Sequence, residues 1–187
     1  MSMFESETHA VLGFNRITLG SPRHATQLLH GFDSAQAFFS EYRTNTVNLP
    51  PRLSSRLSKP LSSEIVTGIN RDIEWLAKPG RRLISIFDDA YPFLLQQIAD
   101  PPVCLFCLGD HHLLKKEQIA IVGSRKPTQL GIKIAQRFGS ELSAQGLVVT
   151  SGLAHGIDAA AHAGVLEGDG KTIAVFGSGI DTIYPRN

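Results

Sequence analysis

The sequence predicts an α/β chain whose second part is a mostly parallel sheet and whose first part is a small all-helical domain. Three observations predict it. Short apolar, mostly β-branched runs recur from residue 81 onward, and segments of helical periodicity separate the last three of them. Glycine is uneven: six of the 17 glycines lie in residues 1–118 and eleven in residues 119–187. Charge does not shift with glycine, because residues 1–80 hold 8 basic and 7 acidic groups and residues 81–187 hold 10 of each. The change along the chain is one of backbone requirement, not of electrostatics.

The elements follow in order. Residues 9–42 read as short helices, with Val11, Leu12, Ile17 and Leu19, then Leu28, Leu29, Phe32, Ala35, Phe38 and Phe39, at roughly helical spacing. Ser21-Pro22 is a helix start with proline at the first helical position, and Asp33 is the expected N-cap of the next helix. Residues 44–63 are rich in Ser, Pro and Asn and read as a linker. Ser62-Ser63-Glu64 opens an amphipathic helix over Ile65, Ile69, Ile73 and Leu76 that ends before Pro79-Gly80. The expected domains are therefore 1–77, including that linker, and 81–187. In the second, LISIF (83–87), VCLFCL (103–108), IAIVG (119–123), LVVTSG (147–152) and TIAVFG (172–177) read as strands. Residues 130–145 place Ile134, Phe138 and Leu142 on one helical face, and residues 157–167 place Ile157, Ala160, Ala161 and Val165 likewise. Continuous apolar strands alternating with helices imply a parallel sheet covered on both faces.

In such a sheet, ligands bind beyond the carboxyl ends of the strands. Three strand ends share one design: IAIVGSRKPT, VVTSGLAHGID and IAVFGSGID. Gly123, Gly152 and Gly177 stand where the chain turns, and Gly156 and Gly179 add freedom. The first two turns lead into helices, whose N-termini favour an anion. Arg125 and Lys126 supply formal charge in the first turn, Arg125 with a fork suited to phosphate. Arg186 follows the third strand end. A phosphate is the natural guest.

Other signals carry less. GDGKT (168–172) ends like a phosphate loop, but Val165 stands where the first glycine is required, and the segment precedes a strand instead of following one. GSGIDT (177–182) has Thr182 where a dinucleotide fingerprint wants Gly or Ala, which argues against a nicotinamide cofactor. Cys104 and Cys107 lie three apart inside a strand, on opposite faces, and read as core cysteines rather than a metal or redox pair. His111 and His112 fall in a surface turn. Asp158 and His162 are one helical turn apart. They read either as an Asp-oriented His near the second turn or as a carboxylate that caps the helix and bonds the turn backbone, with His162 packed beside it; no Ser or Cys nucleophile is placed convincingly beside them, which favours the second. No catalytic residue, metal or cofactor is expected.

Composition bounds the class. Hydrophobic residues at 42% suit a globular core, and no stretch approaches the ~18 consecutive apolar residues of a membrane span. The start, MSMFESETHAV, lacks the basic and apolar regions of a secretory signal. Two cysteines fit a reducing, cytoplasmic location. A net charge of +1 gives no bulk attraction to nucleic acid, so any such binding must be local.

The runs IAIVGSRKPTQLG, VVTSGLAHGIDAAAH and GDGKTIAVFGSGIDTIYPRN, led in by DDAYPFLLQQIADPPVCLFCLGD, resemble the DNA-processing protein A (DprA/Smf) family. The resemblance covers about residues 81–187, and the helical first ~75 residues look like the sterile-alpha-motif-like or helix–hairpin–helix-like domain that often precedes it. It implies a Rossmann-like, mostly parallel sheet. It implies a non-enzymatic protein that binds single-stranded DNA, protects it during natural transformation and loads a RecA-type recombinase, with a possible homodimer and no membrane role. By matching motif, Gly123, Ser124 and Arg125 form the core of a phosphate pocket, with Lys126 and Thr128 among its binding residues. Ser151, Gly152, Gly156 and Asp158 shape its second wall, and Gly177, Ser178, Gly179 and Arg186 complete it. No aromatic stacking platform is evident; Tyr184 is the best candidate for base stacking, and a packed loop aromatic is the favoured reading of it. The family's fold continues past Asn187, so the expected sheet is incomplete. The alternatives are a Rossmann-type nucleotide-binding or phosphoribohydrolase-like protein, whose PGGxGTxxE motif is absent here, and an inactive fragment.

Overall fold

The structure is a computed structural model that describes residues 4–18, 22–44, 49, 51–57, 61–175, 177 and 179–181. It packs as two compact units, Met1–His111 and His112–Asn187.

In the first unit, helices α1 (Glu7–Thr18), α2 (Pro22–Leu29), α3 (Ala35–Arg43), α4 (Pro51–Leu57) and α5 (Ser63–Leu76) precede β1 (Arg81–Ser85), the single-turn helix α6 (Phe93–Gln96) and β2 (Cys104–Leu108). The apolar periodicity of α1 and α3 buries Val11, Leu12, Phe14, Ile17, Phe38 and Phe39. Phe14 meets Phe38 edge-on at 5.1 Å between centroids, the arrangement that ring quadrupoles favour. Polar groups fix the helix positions. Arg16 forks onto Asp72, Nε to Oδ2 and Nη2 to Oδ1, both at 2.8 Å, and so ties α1 to α5. The Glu7 carboxylate accepts from the backbone N–H groups of Ala35 and Gln36, donors that a helix N-terminus leaves unpaired.

Several expectations change here. The N-cap of α3 is Ser34, not Asp33; its side chain accepts from the Ala37 N–H. The 44–63 segment is not all linker, because α4 forms inside it and buries Leu57. Its residues 45–48, 50 and 58–60 lie outside the described ones. The strands β1 and β2 do not enter a parallel sheet. They pair antiparallel with each other, Arg81 opposite Leu108 and Ser85 opposite Cys104. Val103 and Cys104 then bury against the helical core, which is why the compact division falls at 111/112 and not near residue 80. Cys104 is buried and Cys107 half-buried, with no partner cysteine bond. Burial, and secondarily the nearby Asp72, push the Cys104 thiol up to about 12, the state of an inert core residue.

The second unit holds β3 (Gln118–Ala120), α7 (Gln129–Ala144), β4 (Val148–Ser151), α8 (Ile157–Leu166) and β5 (Thr172–Ala174). The three strands are parallel in the order β3-β4-β5, and with the two connecting helices they make a Rossmann-like α/β unit. Gln118 aligns with Val148, and Val149 with Thr172. Consecutive right-handed crossovers moving one way across a sheet put both helices on one face. Val149, Ala161 and Val165 form the core there, with Ile119 and Ile121 against it. The expectation of cover on both faces is thus corrected for the described residues. Sheet alternation turns Ala120, Val122, Thr150, Ile173 and Val175 to the other face, and Val122 is 71% and Val175 61% exposed.

The expected inner face of α7 is also corrected. Ile134 and Phe138 are exposed, whereas Ala135 and Gly139 are buried. The reason is close helix–helix contact. A Cβ at Gly139 would overlap the carbonyl oxygen of Ala161 in α8, so only glycine allows the approach.

Candidate functional site

The carboxyl ends of β3 and β4 run into turns that bond to each other. The first turn, 121–128, ends at α7, whose N-cap is Thr128; the Thr128 hydroxyl accepts from the Gly131 N–H at 3.1 Å. The second, 152–156, ends at α8, whose N-cap position is Gly156 with no side-chain cap. Gly156 has φ +90° and ψ −123°, and a Cβ there would overlap the Ser124 carbonyl oxygen of the first turn. Glycine is required on both counts. Leu153 in the same turn adopts φ +56°, an uncommon conformation for a branched side chain.

Three polar contacts join the turns. The Ile157 N–H donates to the Ser124 carbonyl at 3.2 Å. The buried Asp158 carboxylate accepts from the Gly123 N–H through Oδ1 at 3.3 Å and from the Gly152 N–H through Oδ2 at 3.2 Å. Below them, the buried Ser151 hydroxyl donates to the Ile121 carbonyl at 2.6 Å. Asp158 therefore bonds the turn backbone, as the second sequence reading has it, but it does not cap the helix: the N-cap position of α8 is Gly156, without a side-chain cap bond.

Gly123, Ser124, Arg125 and Lys126 are exposed in this turn, with the Ser124 hydroxyl accepting from the Lys126 N–H at 3.0 Å. The structure thus brings Gly123, Ser124, Arg125, Lys126, Ser151, Gly152, Gly156 and Asp158 to one end of the sheet. Thr128 is there too, with its hydroxyl engaged in the helix cap. The third strand end aligns with them: the Val175 N–H donates to the Ser151 carbonyl at 2.9 Å, and the exposed Gly177 and Gly179 follow. Ser178, Arg186 and Tyr184 lie outside the described residues.

Sequence reasoning missed how α8 is held at its middle. His162 Nδ1 lies 2.7 Å from the Thr172 hydroxyl, which in turn donates to the Val149 carbonyl at 2.6 Å. The hydroxyl has one hydrogen, so the imidazole donates from Nδ1. Its Nε2 is buried with no hydrogen-bond partner among the described residues. Burial lowers the His162 pKa from its ordinary value, and the Asp158 carboxylate opposes that shift in part. Nothing in the sequence pointed to Thr172, because the pair depends on the β4–β5 register. Chemically, the site offers two exposed cations at the end of a rigid pair of βα turns.

The family model described as DNA recombination-mediator protein A matches residues 82–187. DNA processing protein DprA of Streptococcus pneumoniae is 48% identical over 102 residues, covering 54% of this chain and 36% of the relative. DprA of Bacillus subtilis is 44% identical over 108 residues, covering 57% and 36%. Protein Smf of Escherichia coli is 40% identical over 118 residues, covering 63% and 32%. The chain therefore spans about a third of the length of these curated relatives. The X-ray structure of the Streptococcus pneumoniae DprA matches 98% of this chain and 62% of its own, with 29% identity and a TM-score of 0.67. No helix among the described residues is long and apolar enough to cross a membrane.

Proposed function

Because this chain belongs to the DNA recombination-mediator protein A family, we propose that its joined strand-end turns bind the phosphate backbone of single-stranded DNA. The observation that carries the reading is the placement of Arg125 and Lys126, both exposed, on a turn locked to its neighbour by backbone contacts. A preorganised loop with two cations suits a repeating anion, since ordering the site costs little at the moment of binding. Ser124 and Arg125 contact phosphate, with Gly123 and Lys126 beside them and Thr128 closing the turn. Ser151, Gly152, Gly156 and Asp158 shape the second wall. Gly177, Ser178, Gly179 and Arg186 complete the pocket at the third strand end. The protein acts by binding, without a catalytic step, in DNA processing during transformation in the cytoplasm. Its partners are single-stranded DNA and a RecA-type recombinase loaded onto it, with homodimerisation a property of the full-length protein.

The test is the anisotropy of a labelled oligo-dT titrated at several salt concentrations. Contacts to phosphate release counterions, so affinity falls with salt whatever the base sequence. Arg125→Ala is expected to weaken binding about tenfold and to reduce the log–log salt slope by roughly one. Unchanged affinity with an unchanged slope would remove Arg125 from the site.

A further inference from the structure

Asp158 presents a contradiction. A carboxylate at the convergence of two turns opposes a phosphate electrostatically. It also occupies the Gly123 and Gly152 N–H groups, which an anion would otherwise use. We propose that Asp158 is a positioning residue of the anion site and not one of its ligands. This inference rests on the phosphate reading above and names what sets the spacing of its two walls.

The argument is geometric. Gly123 lies 35 residues before Asp158 and Gly152 six before it, so one carboxylate fixes the distance between two separate turns. Both glycines fit closely against the start of α8. A Cβ at Gly152 would come within 2.8 Å of Asp158 Oδ2, and one at Gly123 within 2.7 Å of the Ile157 side chain. The two glycines therefore fit closely against Ile157 and Asp158, whether or not an anion is present. The Ile157 N–H adds a third bond across the same gap, to the Ser124 carbonyl. One helical turn on, His162 anchors α8 to Thr172 at the start of β5 and, through it, to Val149 of β4. Helix α8 is thus tied to β4 and β5, and Asp158 transmits that register to the turn after β3, which carries Arg125 and Lys126. The anion is left to bind outward of Gly123, over the exposed Ser124–Lys126 segment.

Positioning and charge make opposite forecasts. If Asp158 only added negative charge, its removal would tighten DNA binding. If it positions, removal loosens the turn. The full chain and its Asp158→Ala and Asp158→Asn variants are titrated with labelled oligo-dT, and amide hydrogen exchange is followed at Gly123 and Gly152. Asp158→Ala is expected to weaken binding about tenfold, the weight of a charge-assisted hydrogen bond lost from the scaffold. Asp158→Asn keeps one acceptor and falls between it and the parent. The salt slope stays that of the parent in both, because no phosphate contact is removed, while exchange at both glycines accelerates. Unchanged or tighter binding, or a changed salt slope, overturns the proposal. Should Asp158→Ala fail to fold, the isosteric Asp158→Asn carries the test. Should the parent chain bind no oligonucleotide, the phosphate reading fails, and exchange still decides the role of Asp158: unaltered protection at Gly123 and Gly152 in Asp158→Asn refutes it.

Discussion

Single residues in the second unit carry more constraint than their chemistry alone suggests. Gly156 combines a positive φ with a close approach to the Ser124 carbonyl, so Gly156→Ala is expected to lower stability by about 3 kcal/mol. A shift of the urea midpoint at constant slope measures it; a midpoint within error of the parent would mean that the turn relaxes freely. His162 is the residue whose titration reaches stability. Its folded pKa lies below the ordinary value of 6.5, so the unfolded chain binds the proton more tightly. The His162 contribution is therefore present above about pH 6.5 and is lost as pH falls through the folded pKa. The expected result is a melting temperature that drops from pH 7.5 to pH 5 more steeply in the parent than in His162→Gln. Equal drops would show that the imidazole is not held neutral by the fold. The turn glycines and the basic pair were legible in the sequence because each stands next to a strand end. The Thr172 partner of His162 was not, since it depends on which residue of β5 faces α8.

Elements obeyed their periodicity where burial follows it and departed where a close contact overrides it. Helix α5 begins and ends where its Ser62 cap and the Pro79-Gly80 stop place it, give or take a turn, and Ser62 accepts from the Ile65 N–H. The apolar face of α7 misled, because Ile134 and Phe138 are exposed and the close approach to α8 is made at Gly139, against Ala161, and at Gln136, against Gly164. Small residues bury little area, yet they let two backbones approach, and pattern arguments weigh area. Gly139→Ala therefore should cost about 2 kcal/mol, as overpacking at a rigid backbone contact does. Thermal melting checks it, and a stabilised variant, as helix propensity alone would give, would show that the helices part without cost. The antiparallel β1–β2 pair shows the complementary failure. Its runs are apolar enough for a parallel sheet, but direction is not encoded in an apolar run, and only the pairing partner decides it.

At the scale of the whole molecule, the near-neutral charge places any nucleic-acid binding in a local site, so the salt slope of the oligo-dT titration should correspond to a few phosphates rather than many. The sequence by itself determined the class of fold, the three glycine-rich strand ends and the basic pair, because each is written locally: apolar runs and helical periodicity for elements, glycine where a chain turns sharply, cations beside them; the family was legible through the resemblance of whole motifs. Tertiary structure alone decided that the first two apolar runs pair with each other and bury against the helices, that α7 meets α8 through a glycine, and that Asp158 joins two turns 29 residues apart, from Gly123 to Gly152. Those outcomes depend on the relative positions of segments distant along the chain, which packing density and the pairing of buried polar groups settle only once the chain has closed on itself.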